Sequence, residues 1–141
     1  GNKGPREGSI SAVGDRCAVT VGCYDGSFAQ GNPRSCELYS GRGVLGSPVR
    51  KPDLVAPGTD IYSCNLGFRG GYGRGGRPYV AKSGTSMATP VVAGAAALAF
   101  QKYPGMTNEE CRHRLQFSAT DLGLSWNRQG WGLLHVGRLL D

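Results

Sequence analysis

Gly84-Thr85-Ser86-Met87-Ala88-Thr89-Pro90 constrains this 141-residue chain more than any other segment. It sets a small hydroxyl residue in a tight Gly-Thr-Ser turn, directly ahead of a long apolar run, Val91 to Phe100. The run predicts a helix over Ala88 to Tyr103 and, because it is apolar nearly all round, a buried one. A serine at such a junction exposes its hydroxyl, while the N–H groups at the helix start remain unpaired and point outward. That arrangement suits a nucleophile attacking a carbonyl, because the developing oxyanion meets donors already in place. The plainer alternative is a helix start with a capping serine.

The rest of the chain reads as short strands alternating with helices. Cys17 to Cys23 predicts a buried strand between Gly14-Asp15 and Asp25-Gly26. Leu54 to Ala56 and Ile61 to Cys64 flank a Pro57-Gly58 turn, and Tyr79 to Lys82 leads as a strand into the serine turn. Thr107 to Ser118 predicts a surface helix, with Thr107 and Glu110 spaced as a capping box and Met106 placed to staple against Cys111. The alternation predicts an α/β fold with a mainly parallel sheet. With 24 glycines and 8 prolines the chain is loop-rich, and it holds no apolar run of membrane-spanning length.

The serine segment is similar to the nucleophile motif of the subtilisin-like serine proteases (the subtilases, peptidase S8), and it does not stand alone. Lys51-Pro52-Asp53-Leu54-Val55-Ala56-Pro57-Gly58 resembles a second segment of that family, as do Leu38-Tyr39-Ser40-Gly41-Arg42-Gly43 and Val19-Thr20-Val21-Gly22. Gly1-Asn2-Lys3-Gly4 resembles the family's asparagine loop, and Gly130-Trp131-Gly132-Leu133-Leu134-His135-Val136 its closing segment. The likeness runs in order along essentially the whole chain. It implies the C-terminal portion of a three-layer subtilisin-like fold: residues 1–141 form one partial domain, incomplete without an upstream half, with a flexible Gly/Arg-rich loop near 65–78. Such a portion is expected to expose a sheet edge and apolar surface.

The same likeness assigns the chemistry. Family members order their catalytic triad as Asp, His, Ser. No family-type aspartate or histidine motif occurs in these residues, so the chain is expected to carry the nucleophile, Ser86, without its base and to be inactive alone. The oxyanion hole would combine the Ser86 backbone N–H with the side-chain amide of Asn2. Taken by itself, Asn2 reads as an ordinary turn residue. Ser11, Ala12, Val13 and Gly14 correspond to the base of the P1 pocket, Lys3 to its rim, and Gly84 and Thr85 complete the substrate-binding set. A cation at Lys3 would favour an acidic P1 residue. Val91 departs from the family, which usually has a non-catalytic histidine there. His113, among charged neighbours on a surface helix, and His135, where the family usually has asparagine, lie in no family base position.

Two competing functions follow from other features. The net charge is +6, and Phe68-Arg69-Gly70-Gly71-Tyr72-Gly73-Arg74-Gly75-Gly76-Arg77-Pro78-Tyr79 resembles a short RGG tract able to bind nucleic acid. It falls where the family has a variable hairpin, and a surface loop is the better reading. The other alternative is a non-catalytic pseudoprotease scaffold, which the intact Ser86 and Asn2 argue against on this part of the domain. The five cysteines form no C-x-x-C pair and do not read as a disulfide framework. The expected partners are a peptide or protein substrate and the upstream half of the domain. The chemistry calls for no cofactor. Structural calcium is left open, because carbonyl ligands leave no sequence trace. The family includes secreted members, and the compartment stays open as well.

Overall fold

Val55 sits at the centre of the sheet, fully buried, and the alternation around it builds the core in two layers. In a computed structural model that describes residues 1–11, 17–26, 36–68 and 76–141, β1 (Val21–Tyr24) pairs in parallel with β2 (Leu54–Pro57). A parallel bridge joins Val55 to Leu133, which in turn bridges Thr120 antiparallel, so the closing segment extends the sheet. Successive side chains of a strand face opposite ways. Leu54 and Ala56 therefore meet the helices, while Val55 packs with Tyr24, Cys36 and Leu122 on the other side.

The helical layer is α1 (Thr85–Lys102), α2 (Asn108–Ser118) and the short α4 (Val136–Leu140). Ala88, Val92, Ala95 and Ala99 form one stripe of α1 against Val21, Leu54 and Ala56, with Cys111, Leu115 and Leu139 closing the cluster. Small residues on the stripe let the helix lie close to the sheet. The α2 capping box forms as its spacing predicts: the Thr107 hydroxyl accepts from Glu110 N at 3.2 Å, and Glu110 Oε2 accepts from Thr107 N at 2.7 Å. Met106 packs against the cluster that contains Cys111. The short α3 (Trp126–Gln129) precedes the closing segment.

β3 (Ile61–Cys64) and β4 (Tyr79–Lys82) form a separate antiparallel pair. Their connection is the Gly/Arg-rich loop, of which 69–75 lie outside the described residues. Tyr62, Leu66 and Tyr79 of this ribbon are exposed. No helix among the described residues is long and apolar enough to cross a membrane.

Three expectations change. The first strand starts at Val21 rather than Cys17, which is exposed. The backbone ahead of it is occupied by side chains instead of a ladder: Thr20 N donates to Asp53 Oδ2 at 2.7 Å, and Ala18 O accepts from Lys51 Nζ at 2.6 Å. The helix begins at Thr85, three residues early, because Asn2 caps it from a distance. It is also buried on one stripe only, leaving Val91 and Leu98 exposed, since the sheet, α2 and α4 cover a single side. All five cysteines are free, with Cys23, Cys36 and Cys111 buried.

Asp53, 3% exposed, holds this arrangement together. Its Oδ2 accepts from Lys51 Nζ at 2.6 Å as well as from Thr20, its Oδ1 from Gln116 of α2 at 2.9 Å, and its carbonyl from Trp131 N at 2.8 Å. Removing one partner of a buried pair strands the other charge, which costs about 3–5 kcal/mol. Asp53→Ala is expected to lower the unfolding free energy by about that much, and Lys51→Met in the same chain to recover part of it, as read by denaturant titration. Burial raises the Cys36 thiol from 9.0 to about 11. Between those values the unfolded chain ionises while the folded one keeps its proton. The Cys36 contribution to stability is therefore fully present below pH 9 and falls by about 1.4 kcal/mol per pH unit toward 11. Urea titrations at both ends of that window, with Cys36→Ala as the flatter control, check this slope.

Candidate active site

The first turn of α1 has no acidic residue to meet the N–H groups that a helix start leaves without intrahelical partners. It is capped from 83 residues away: Asn2 Oδ1 accepts from Thr85 N at 3.0 Å and from the Thr85 hydroxyl at 2.8 Å. These two bonds also orient the amide. With Oδ1 turned to Thr85, Nδ2 is left beside Gly84. A Cβ on Gly84 would stand 3.1 Å from Asn2 Nδ2 and 3.8 Å from Ser86 N. The space in front of Gly84 is thus within reach of two N–H donors, and Ser86 N–H has no acceptor among the described residues. Gly84 has φ 152°, a conformation that side chains disfavour, so glycine both permits the turn and keeps that space empty.

Two further segments fix the turn. Gly84 N donates to Gly58 O at 2.9 Å, and Gly58 N to Tyr24 O at 3.1 Å, so the Ala56-Pro57-Gly58 end of β2 grips the serine turn. A Cβ on Gly58 would meet Cys23 Sγ and Gly84 O, each at 2.7 Å. The asparagine loop is pinned to the segment after β1: Gly41 N donates to Gly1 O and Gly4 N to Tyr39 O, both at 2.8 Å. Close to the turn, Cys23 Sγ lies 3.3 Å from the Tyr39 hydroxyl and 3.9 Å from Thr59 Oγ1, and the Thr59 hydroxyl donates to the Glu37 carboxylate. Burial pushes both the Cys23 thiol and the Tyr39 phenol above their ordinary values, so both stay neutral at physiological pH.

Ser86 is exposed, and its hydroxyl has no hydrogen-bond partner among the described residues. Neither histidine contacts it. His113 is exposed on α2 beside Phe117, and His135 caps α4, its Nδ1 accepting from Arg138 N at 3.1 Å. The structure brings Asn2, Gly84, Thr85 and Ser86 together. Lys3 follows Asn2 on the exposed loop and makes no ion pair among the described residues. Ser11 is half-buried, with its Oγ 3.3 Å from where a Cβ on Gly1 would lie. Ala12, Val13 and Gly14 lie outside the described residues. Sequence reasoning missed the Gly58 clamp and the Cys23, Glu37, Tyr39 and Thr59 group. Gly58 carried a turn signal, but nothing local announced its partner 26 residues on.

The family model described as "Subtilase family" matches residues 1–132. The chain belongs to the subtilase family. This is a family of serine proteases, and the relatives agree across most of the sequence. Subtilisin of Bacillus pumilus is 40% identical over 136 residues, which covers 96% of this chain and 42% of that protein. The thermostable alkaline protease of Halalkalibacterium halodurans is 45% identical over 86 residues, 61% of this chain and 21% of that one. Among solved structures, the CspB protease of Clostridium perfringens superposes with a TM-score of 0.77 at 27% identity, over 95% of this chain and 28% of that chain. The subtilase chain described here spans less than half the length of each of these relatives.

Gly84→Ala puts a methyl group into the space between the two donors and forces a side chain into a disfavoured backbone region. A cost of roughly 1–3 kcal/mol in unfolding free energy is expected, together with a shift of the Asn2 side-chain amide signals in ¹⁵N NMR spectra. A variant with wild-type stability and unmoved amide signals would contradict this geometry.

Proposed function

We propose that this chain carries the nucleophile and both oxyanion donors of a serine endopeptidase, whose general base comes from polypeptide outside these residues. The observation that supports it most directly is that Asn2 Nδ2 and Ser86 N both lie within 4 Å of the position a Cβ on Gly84 would take, beside an exposed serine hydroxyl. Ser86 Oγ attacks the scissile carbonyl as a histidine on the other half takes its proton. The carbonyl oxygen, now an anion, moves into the space in front of Gly84. Collapse of the tetrahedral species expels the amine, which takes the proton from the histidine, and leaves an acyl ester on Ser86. Water then attacks the ester by the same route and releases the acid.

The donors act because they are already in place when the charge appears. Thr85 supplies that order on one side by anchoring Oδ1, and Gly58 on the other by holding the Gly84 backbone. The side-chain donor of an oxyanion hole contributes about 10²–10³ in turnover, a figure established on subtilisin itself. Lys3, next to Asn2 in the chain, would favour an acidic P1 side chain. The chemistry so assigned draws on no cofactor.

Treatment with a serine-directed fluorophosphonate, followed by peptide mapping, tests the assignment. Ser86 is expected to be labelled when the chain is joined to the polypeptide that supplies Asp and His, and to remain unlabelled in the chain alone. Labelling of the isolated chain would mean that a local base exists. No labelling in either would remove the proteolytic reading in favour of a binding scaffold.

A further inference from the structure

Glu37 is a carboxylate with no cation partner among the described residues, close to the Gly84 turn of a chain whose net charge is +6. It is half-buried and forms no ion pair among the described residues. Its one side-chain hydrogen bond there comes from the Thr59 hydroxyl. Thr59 follows Gly58, whose carbonyl holds Gly84 N at 2.9 Å. Two residues on from Glu37, the Tyr39 carbonyl accepts from Gly4 N at 2.8 Å, on the loop that presents Asn2. The carboxylate therefore stands on the short piece of chain linking the two halves of the candidate oxyanion hole.

Its surroundings hold it there. Glu37 N donates to Cys23 O at 3.0 Å, and the preceding residue, Cys36, bridges Tyr24. The adjacent Tyr39 hydroxyl is occupied by Cys23, 3.3 Å away, and Thr59 Oγ1 faces the same thiol. None of these neighbours carries a positive charge. A half-buried carboxylate whose charge is unmatched among the described residues gains most from a cation that arrives with a ligand, because a partly desolvated pair is screened less than an exposed one.

We propose that Glu37 is a specificity-determining residue that receives a lysine or arginine side chain of the substrate, within about three residues of the scissile bond. The distance follows from the connections. One backbone hydrogen bond, one residue step of about 3.8 Å and one side-chain hydrogen bond separate Gly84 from the carboxylate, which puts it on the order of 10 Å from the turn. An extended peptide covers that span in about three residues. The inference rests on the proteolytic reading and adds a substrate class to it. The exposed Lys3 and Glu37 would then select opposite charges at two different substrate positions.

The test uses the protein with its base-supplying polypeptide and internally quenched peptides. Each peptide carries Lys, Gln or Glu in turn at the three positions on either side of a fixed cleavage site. At one position Lys is expected to exceed Gln by about tenfold in kcat/KM, chiefly through KM, with the gap narrowing as salt is raised. Glu37→Gln retains an acceptor for Thr59 and should reduce the preference to less than twofold, while Glu37→Lys should reverse it toward Glu. A preference for Lys that survives Glu37→Gln, or no preference in the unaltered protein, would overturn the proposal. The same peptides bound to the Ser86→Ala protein, followed by fluorescence anisotropy, separate the two readings. Charge-selective binding that Glu37→Gln abolishes, without cleavage by the unaltered protein, would sink the proteolytic assignment and leave Glu37 as the receptor for a basic side chain of a bound peptide.

Discussion

The buried carboxylate of Asp53 is the point on which the rest of the chain depends. Its oxygens and carbonyl engage the lead-in to β1, Lys51 of its own segment, Gln116 of α2 and Trp131 of the closing segment. These segments are far apart in sequence, and apolar packing alone would not fix their register, because it has no direction. Hydrogen bonds to an ion do have direction, and leaving one unmade in a dry interior is costly. Asp53 thus sets where β2 lies relative to both β1 and α2. Leu54, Val55 and Ala56, the next three residues, are then delivered to the core on alternating faces.

That placement carries forward into the site. β2 ends in Pro57 and Gly58, and the Gly58 carbonyl is the acceptor that holds Gly84. The stripe of α1 that packs on Leu54 and Ala56 begins at Ala88, only two residues beyond Ser86. The turn is therefore held between a strand end and a helix start, both tied to one core. Asn2 comes from a third direction, on a loop pinned to Tyr39 and Gly41. Chemistry that needs donors in place before charge develops calls for such a rigid surround.

Much of this was legible in the sequence, for physical reasons that can be named. The capping box at Thr107 and Glu110 is a local code, and it forms as spaced. β3 and β4 occupy the residues their patterning predicts. Asn2 could be picked out only through the family motif, since an asparagine in a Gly-Asn-Lys-Gly loop carries no local sign that it will cap a helix 83 residues later. The failures have a common cause. The strand expected from Cys17 and the fully buried helix both rested on apolar content, whereas the outcome was decided by long-range partners. Lys51 and Asp53 took the backbone ahead of Val21, and the helix found cover on one side only. The group of Cys23, Glu37, Tyr39 and Thr59 was invisible for the same reason, being assembled from three separate segments.

The vacancy at Gly84 has a consequence for how the chain can vary. Most positions tolerate a neighbour in residue space, a shorter or longer side chain that approximates the original. Here the useful property is the missing side chain, since the volume its first carbon would fill lies within 4 Å of both Asn2 Nδ2 and Ser86 N. Every other residue brings that carbon with it. Substitution at this point has no gradient to follow: the smallest available change already sets a carbon 3.1 Å from Asn2 Nδ2.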